Sequence, residues 1–276
     1  LVRQISDSRI RLLENEVRQG ISQTRNRGLE EAHGQYIAVL DADDISHPLR
    51  LEKQVRFLDR NPEFGMVGSW VRTIDQQSAR RSEKWKLGAR PAAIPSILLF
   101  KNYFCHSAVM MRREAIPPEG YDTTLPIGED HDLWLNITRK WKAWNLPHYL
   151  TSYRVHPEST VQRNPALLRD SVKELFCRAC LPLGFTPDAR ELELFLGLKY
   201  PAAKSGNINV DEIGDLLNGI IAANESTRFL NHRELRKIVF LLWFRFLFRT
   251  RQGKLLRLKS LLRPDLFKSF IGSNNR

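Results

Sequence analysis

Tyr36-Ile37-Ala38-Val39-Leu40-Asp41-Ala42-Asp43-Asp44 is the stretch that decides how this chain reads. A short apolar, partly β-branched run ends abruptly in three carboxylates within four positions. Such a run reads as a buried strand, entered at Gly34. In open α/β sheets ligands gather beyond the carboxyl ends of the strands, where these aspartates would sit. Crowded like charges need a positive partner, and a divalent cation is the natural one. A second reading stays open: Asp43, Asp44 or Ser46 could instead cap a helix beginning near His47-Pro48.

Working outward, Arg9 to Leu13 alternates and predicts a strand. Gly20-Ile21-Ser22 opens a helix with Ser22 as N-cap, running through Arg25, Asn26 and Leu29 toward Gly34. After the aspartates, Pro48 starts a helix with Leu49, Leu51, Val55, Phe57 and Leu58 as apolar positions, and Met66 to Ile74 forms the next strand. This alternation marks an α/β layer with a parallel core. Residues 75–92 read as a polar loop, and Ile94 to Phe100 as a short helix or strand. His106 precedes an apolar strand ending at Met111; it could face the site or be a satisfied core histidine. Gly128-Glu129-Asp130-His131-Asp132 opens a helix, where the macrodipole favours negative charge. Three acids and a histidine in four positions exceed what a cap requires. Trp144 to Leu150 predicts a strand, and Tyr153-Arg154-Val155-His156 a polar loop.

From about Pro165 the texture turns helical: Ala166–Leu181, Ala189–Leu198, Val210–Ala223 and Asn231 onward. The 276 residues carry 42% hydrophobic residues and a net charge of +12, which excludes a disordered chain. Nearly all of that charge lies from Arg228 onward, with 13 Lys and Arg against Glu234 and Asp265. The apolar run Ile238 to Phe244, its spaced arginines and the leucine–lysine pattern of 254–263 suit an anionic membrane surface, lying in the interface. A core-packing helix with a solvated basic face is the other reading. No nucleic-acid motif accompanies the charge, so no nucleic-acid partner is expected. No apolar run approaches the roughly 20 residues of a membrane span. The three cysteines form no disulfide framework, and Cys177 and Cys180 read as buried thiols.

Several of these stretches together resemble the family 2 glycosyltransferases of the GT-A fold. They are Asn15…Gly20-Ile21-Ser22-Gln23-Thr24-Arg25-Asn26-Arg27-Gly28, then Gly34 to Asp44, then His106-Ser107…Met111-Arg112-Arg113. Gly120-Tyr121-Asp122…Glu129-Asp130-His131-Asp132-Leu133-Trp134 and Tyr153-Arg154-Val155-His156 follow in order, spanning roughly residues 5–160. The resemblance implies an α/β, Rossmann-like nucleotide-diphospho-sugar transferase domain at residues 1–160 and a helical appendage at 161–276, with its basic amphipathic tail at 228–276. It implies transfer of a sugar from a nucleotide-diphosphate donor (UDP- or dTDP-linked) to a saccharide or lipid-linked acceptor, with inversion and help from Mn²⁺ or Mg²⁺. Asp130 matches the family's catalytic base. Arg25, Asn26, Asp41, Asp43, Asp44 and Arg154 fall on the donor side, and His106, Glu129 and Asp132 on the acceptor side. Asp43 and His156 are the metal-ligand candidates; for Arg154 and His156 a structural loop role also stays open.

The family's first βαβ unit has no counterpart before Leu1, so an N-terminal piece carrying part of the nucleotide pocket is expected upstream. On that expectation the complete protein, rather than the chain as it stands, is the one to bind donor and turn over. A cytoplasmic protein, peripheral on the inner face of the membrane and serving cell-surface polysaccharide or glycolipid synthesis, is the resulting expectation. The rival is a non-catalytic glycosyltransferase-like binding module. A nucleotidyltransferase is less favoured, because no Gly-rich phosphate loop is present.

Overall fold

The computed structural model describes residues 2–156, 164–200 and 209–249. The first part is built from α1 (Ile21–Glu31), β1 (Tyr36–Ala38), β2 (Ile45–Ser46), α2 (Arg50–Arg60), β3 (Phe64–Ile74), β4 (Arg80–Trp85), α3 (Ile94–Leu98), β5 (Met110–Arg112), α4 (Glu129–Thr138) and β6 (Lys142–Arg154). Its sheet runs β1-β5-β3-β6-β2, with β4 lying against β3. The frame is the parallel pair β3–β6, joined from Phe64↔Lys142 to Ile74↔Arg154 with register shifts after Phe64 and on either side of Trp70. All the other pairings are antiparallel. The sheet is therefore mixed, and the expected parallel core is one long strand pair. Strand β3 is buried almost throughout because the sheet is covered on both faces.

Several local expectations change. Arg9 to Leu13 is irregular, and Ile10, Leu12 and Leu13 are exposed. Alternation alone cannot hold a strand without a partner to pair with. At the start of α1 the N-cap is Gly20, with φ of 95°, while Ser22 lies inside the first turn and is buried. The polar stretch 75–92 contains β4, whose polar residues suit the edge of the sheet.

Helix α2 departs furthest from its sequence pattern. Leu49, just before it, and Leu51 are exposed, whereas Arg50 and Gln54 join Leu58 on the buried face. Arg50 donates from Nη2 to the carbonyls of Val39 (2.7 Å) and Val109 (3.0 Å), and from Nε to Gln54 Oε1 (3.0 Å). Gln54 in turn donates to the carbonyls of Ala108 (2.8 Å) and Val67 (3.2 Å). These two side chains supply donors to main-chain carbonyls in and beside β1, β3 and β5, where the backbone is packed away from water. Arg112 does the same lower down, donating to the carbonyls of Phe64 (2.9 Å) and Leu58 (2.5 Å). Arg113 closes the end of α1 by donating to the carbonyls of Ala32 and Gly34.

The second part comprises α5 (Pro165–Cys180), α6 (Ala189–Lys199), α7 (Val210–Thr227) and α8 (His232–Arg249). Their shared core includes Phe176 stacked on Phe195 (3.8 Å between ring centroids), with Ile213, Leu217, Ile220, Leu235 and Val239. Leu99 and Phe100, just past α3, join the same cluster, so these helices pack directly on the first part. Cys177 and Cys180 are free thiols, and Cys180 is fully buried. In α8, Val239, Trp243, Phe246 and Leu247 are buried, while Leu241, Phe244 and Phe248 are exposed. Core packing thus accounts for one face of the run that is apolar all round. The proposed membrane segment 238–263 is described only as far as residue 249; the remainder lies outside the described residues. Among the described residues no helix is long and apolar enough to cross a membrane.

Candidate active site

The aspartates sit just past the end of β1, in a tight turn closed by Asp44 N–H donating to the Asp41 carbonyl (3.1 Å). Their side chains diverge, and each meets a different element. The Asp41 backbone N–H donates to Ser107 Oγ (3.1 Å), and its Oδ1 lies 3.2 Å from Arg25 Nη2 and 3.4 Å from His106 Nδ1. Burial opposes ionisation of Asp41, yet His106 and Arg25 outweigh it and hold the carboxyl well below the usual range. Asp43 places Oδ2 at 3.1 Å from His156 Nε2 and lends its carbonyl to Arg154 Nε (2.7 Å). Asp44 is buried: Oδ1 accepts from the Arg154 backbone N–H (2.8 Å), and Oδ2 has no hydrogen-bond partner among the described residues. Burial raises its pKa, with Asp43 and Asp41 adding to the effect.

Opposite them stands the first turn of α4. Arg25, from α1, connects the two sides: Nη2 reaches Asp41, Nη1 is paired with Glu129 Oε1, and its guanidinium lies 5.6 Å above the Tyr121 ring. Asp130 accepts from Asn102 Nδ2 (2.7 Å) and from the His131 backbone N–H (2.7 Å). Burial raises its pKa; Glu129 adds to the rise and His106 opposes it. His106 is 8% exposed and lies between the two groups, with Nε2 3.0 Å from the Tyr121 hydroxyl and Nδ1 facing Asp41 without a full hydrogen bond. The site therefore brings Arg25, Asp41, His106, Glu129 and Asp130 into one neighbourhood.

Three expected site residues have their polar atoms committed elsewhere. Asn26 donates to the Tyr121 carbonyl (2.8 Å) and accepts from the Tyr121 N–H (2.7 Å), bracing the turn at Gly120. That turn has φ of +66° at Gly120, and a Cβ there would lie 2.4 Å from Asn26 Oδ1. Arg154 donates from Nη1 to the carbonyls of Asp75 (2.6 Å) and Gln76 (3.0 Å), tying the β3–β4 turn to the aspartate turn. Asp132 is buried against Arg178 Nη1 (3.2 Å) and Asn136 Nδ2 (3.0 Å). Two residues along a helix is a rotation of about 200°, which carries Asp132 to the side away from Asp130.

Ser107, Tyr121 and Asn102 are site residues that sequence reasoning did not single out. Each lies within or beside a stretch already marked, but a hydroxyl or amide carries no pattern of its own. Among the described residues no three His, Cys, Asp or Glu side chains converge as a metal cage. Asp43 and His156 offer one oxygen and one nitrogen, a donor pair compatible with a first-row divalent ion whose other positions come from a ligand and water.

With this geometry in view, comparison with known proteins identifies the framework. Residues 1–117 match the family model described as glycosyl transferase family 2. An uncharacterized glycosyltransferase of Methanocaldococcus jannaschii is 31% identical over 157 residues, covering 55% of this chain and 53% of the relative. The putative glycosyltransferase EpsE of Bacillus subtilis is 34% identical, covering 55% and 54%. The O-antigen biosynthesis glycosyltransferase WbnJ of Escherichia coli is 35% identical, covering 56% and 60%. The chain thus spans little more than half the length of these curated relatives. The mixed sheet followed by helices is the GT-A arrangement with a helical appendage that the sequence led us to expect. Arg25, Asn26, the three aspartates and His106 fall inside the family match; Glu129, Asp130, Arg154 and His156 lie beyond it. Over residues 1–117 this chain is similar to glycosyl transferase family 2.

Proposed function

We propose that this protein transfers a sugar from a nucleotide-diphosphate donor to an acceptor hydroxyl with inversion, using Asp130 as base. The observation that carries this reading is the single Arg25 side chain that joins Asp41, past the end of β1, to Glu129, beside Asp130. It brings a donor-side carboxylate and an acceptor-side carboxylate pair within the reach of one side chain. Inverting transfer needs that arrangement: a base on the face opposite the leaving group, within reach of the attacking hydroxyl.

In this reading Asp41 and Asp44 orient the donor ribose and diphosphate, with Arg154 holding their turn in shape. Asp43 and His156 would hold Mn²⁺ or Mg²⁺, which when bound supplies positive charge to the leaving diphosphate. Asp130 takes the proton of the acceptor hydroxyl as its oxygen forms the bond to the anomeric carbon and the donor's bond to diphosphate breaks. The burial-raised pKa of Asp130 suits a proton acceptor, because it moves the carboxyl's basicity toward working pH. Arg25 keeps Asp41 and Glu129 from repelling each other while the diphosphate is bound.

The similarity to WbnJ, named for O-antigen biosynthesis, supports polysaccharide or glycolipid synthesis as the setting. We assign catalysis to residues 1–160 and a supporting role to the helices at 161–276. The donor nucleotide is proposed as UDP or dTDP and the acceptor as saccharide or lipid-linked. The basic segment 238–263 is proposed to rest on the inner face of an anionic membrane.

The test is a transfer assay on the full-length protein with a panel of UDP-, dTDP- and GDP-sugars, wild type against Asp130→Asn. Transfer lost on substitution, with metal-dependent nucleotide binding retained in calorimetry, is the expected result. Absence of transfer and of donor hydrolysis in the wild type, with nucleotide or membrane binding alone, would instead establish a non-catalytic binding module.

A further inference from the structure

Helix α5 belongs to the second part of the chain, yet two of its side chains grip the start of α4. Leu175 and Arg178 are three residues apart, so they share one face of the helix. Gly128 is the N-cap of α4, in the left-handed region at φ of 88°. A Cβ on Gly128 would lie 2.6 Å from Leu175 Cδ1, so Leu175 fills the space that any other residue would need. Arg178 Nη1 donates to Asp122 Oδ2 (2.5 Å) and to Asp132 Oδ1 (3.2 Å), and Nε donates to Glu174 Oε1 (2.8 Å).

Those two carboxylates are not equivalent surface partners. Asp122 follows Tyr121, whose backbone is held by Asn26 and whose hydroxyl meets His106. Asp132 is in the same first turn as Glu129 and Asp130. One guanidinium therefore ties the Gly120–Asp122 turn to the turn of helix that carries Asp130. Asp132 is 6% exposed and Arg178 about a quarter exposed, so water screens this pairing only in part. Breaking a buried pair leaves a carboxylate without its cation, which is strongly unfavourable.

We propose that Leu175 and Arg178 form a clamp through which the helical part of the chain positions Glu129 and Asp130 for transfer, with Arg178 as a positioning residue. The proposal rests on the reading of Asp130 as the base. It gives the second part of the chain a role in the acceptor-side chemistry. Displacement of a reacting group by about 1 Å can cost on the order of 100-fold in rate, so loosening this turn should act on turnover.

The experiment uses the full-length protein and compares wild type with Arg178→Ala, Arg178→Lys, Gly128→Ala and the double variant Gly128→Ala/Leu175→Ala. Arg178→Ala should lower kcat for sugar transfer about 10- to 100-fold with the donor KM unchanged. It should also move the acid limb of the pH–rate profile to lower pH, because a loosened turn admits water to Asp130. Arg178→Lys should fall between the two, since one ammonium lacks the fork that holds both carboxylates. Gly128→Ala should lose activity, and Leu175→Ala on top should restore part of it by making room for the Cβ. Restoration stays incomplete because the left-handed backbone strain remains.

Hydrogen exchange of the amides at 128–132 judges the clamp apart from the chemistry. Faster exchange there in Arg178→Ala, with α1 unchanged, supports it even if Asp130→Asn retains wild-type transfer and the base reading fails. Wild-type exchange and wild-type kcat in Arg178→Ala overturn the clamp. So does a donor KM rising in step with a kcat loss, or failure of Leu175→Ala to restore anything to Gly128→Ala. If Arg178→Ala does not fold, the Gly128 and Leu175 pair decides the matter alone.

Discussion

Replacing Arg50 by Met keeps most of the side-chain volume and removes every donor, so it isolates what the buried guanidinium does. Arg50 is 1% exposed. Burial pulls its pKa down to about 10, with Cys105 and Asp44 opposing, so it remains charged at neutral pH. The substitution leaves the Val39 carbonyl without its donor at 2.7 Å and takes the Nε donor from Gln54 Oε1. The Val109 carbonyl loses one donor but keeps the Val39 N–H at 3.0 Å. One carbonyl orphaned in a part-buried position costs about 1–3 kcal/mol, and the two weakened acceptors about 0.5–1 kcal/mol each. Removing the desolvated cation and burying a thioether returns part of this. The expected net loss is about 2–3 kcal/mol, a substantial part of the roughly 5–15 kcal/mol that holds a domain folded. Urea unfolding of the full-length protein should show a lower midpoint with an unchanged m-value. Val39 also lies two residues before Asp41, so metal-dependent nucleotide affinity should fall alongside stability. A loss below about 0.5 kcal/mol would refute the reasoning, because it would mean that other groups satisfy those carbonyls.

Three further outcomes follow from the site. In Asp130→Asn, transfer should fall by about 100-fold or more, the usual scale for losing a general base. In the wild type the acid limb should lie above the ordinary carboxylate range, since burial raises this pKa, and protonation as pH falls through it removes the base. Asp43→Asn and His156→Ala should each weaken Mn²⁺-dependent nucleotide binding by about 10-fold in calorimetry, with little change in the metal-free baseline. His106→Phe should lessen the advantage of neutral over acidic pH. Asp41's folded pKa is depressed, so its stabilising contribution is present above the unfolded value and is lost as pH falls through the folded one. Without His106 that contribution shrinks by about 1 kcal/mol, after allowance for water at a carboxylate roughly a third exposed. Unfolding curves at neutral pH and at a pH below the depressed value of the Asp41 carboxyl would show it.

The element order, the helical second part and the acidic turns were legible because each leaves a local pattern. The run ending at Asp41 carries apolar content and charge in sequence, and Glu129 to Asp132 exceed the needs of a helix cap. What was not legible depends on partners far along the chain. Arg50 and Gln54 look like the solvent face of α2, and only the carbonyls of Val39, Val67, Ala108 and Val109 explain why they are buried. Arg9 to Leu13 shows the converse: alternation with nothing to pair against. Within the candidate site, Arg25 and Asn26 are adjacent, yet one joins two acidic groups while the other braces a turn. Residue type and spacing cannot separate those jobs, because what lies opposite each side chain decides them.

That division of labour also bears on how the site tolerates its own charge. Asp41, Asp43, Asp44, Glu129 and Asp130 would repel one another if left in low dielectric without cations. The fold answers with a positive or protonatable partner for three of them: Arg25 for Asp41 and Glu129, and His156 for Asp43. Asp44 and Asp130 differ, because both accept from neutral donors, the Arg154 backbone N–H for the first and the Asn102 amide and His131 N–H for the second, and both pKa values rise. Of those two, Asp130 is the one that the proposed chemistry asks to carry a proton, and it has no paired cation. Supplying one should therefore be harmful: Asn102→Lys would place an ammonium within reach of Asp130 and lower its pKa. Protein stability should hold or improve, while the acid limb of transfer moves to lower pH and turnover falls with the weakened base. A variant that kept the wild-type limb would show that the environment of Asp130 does not govern the reaction.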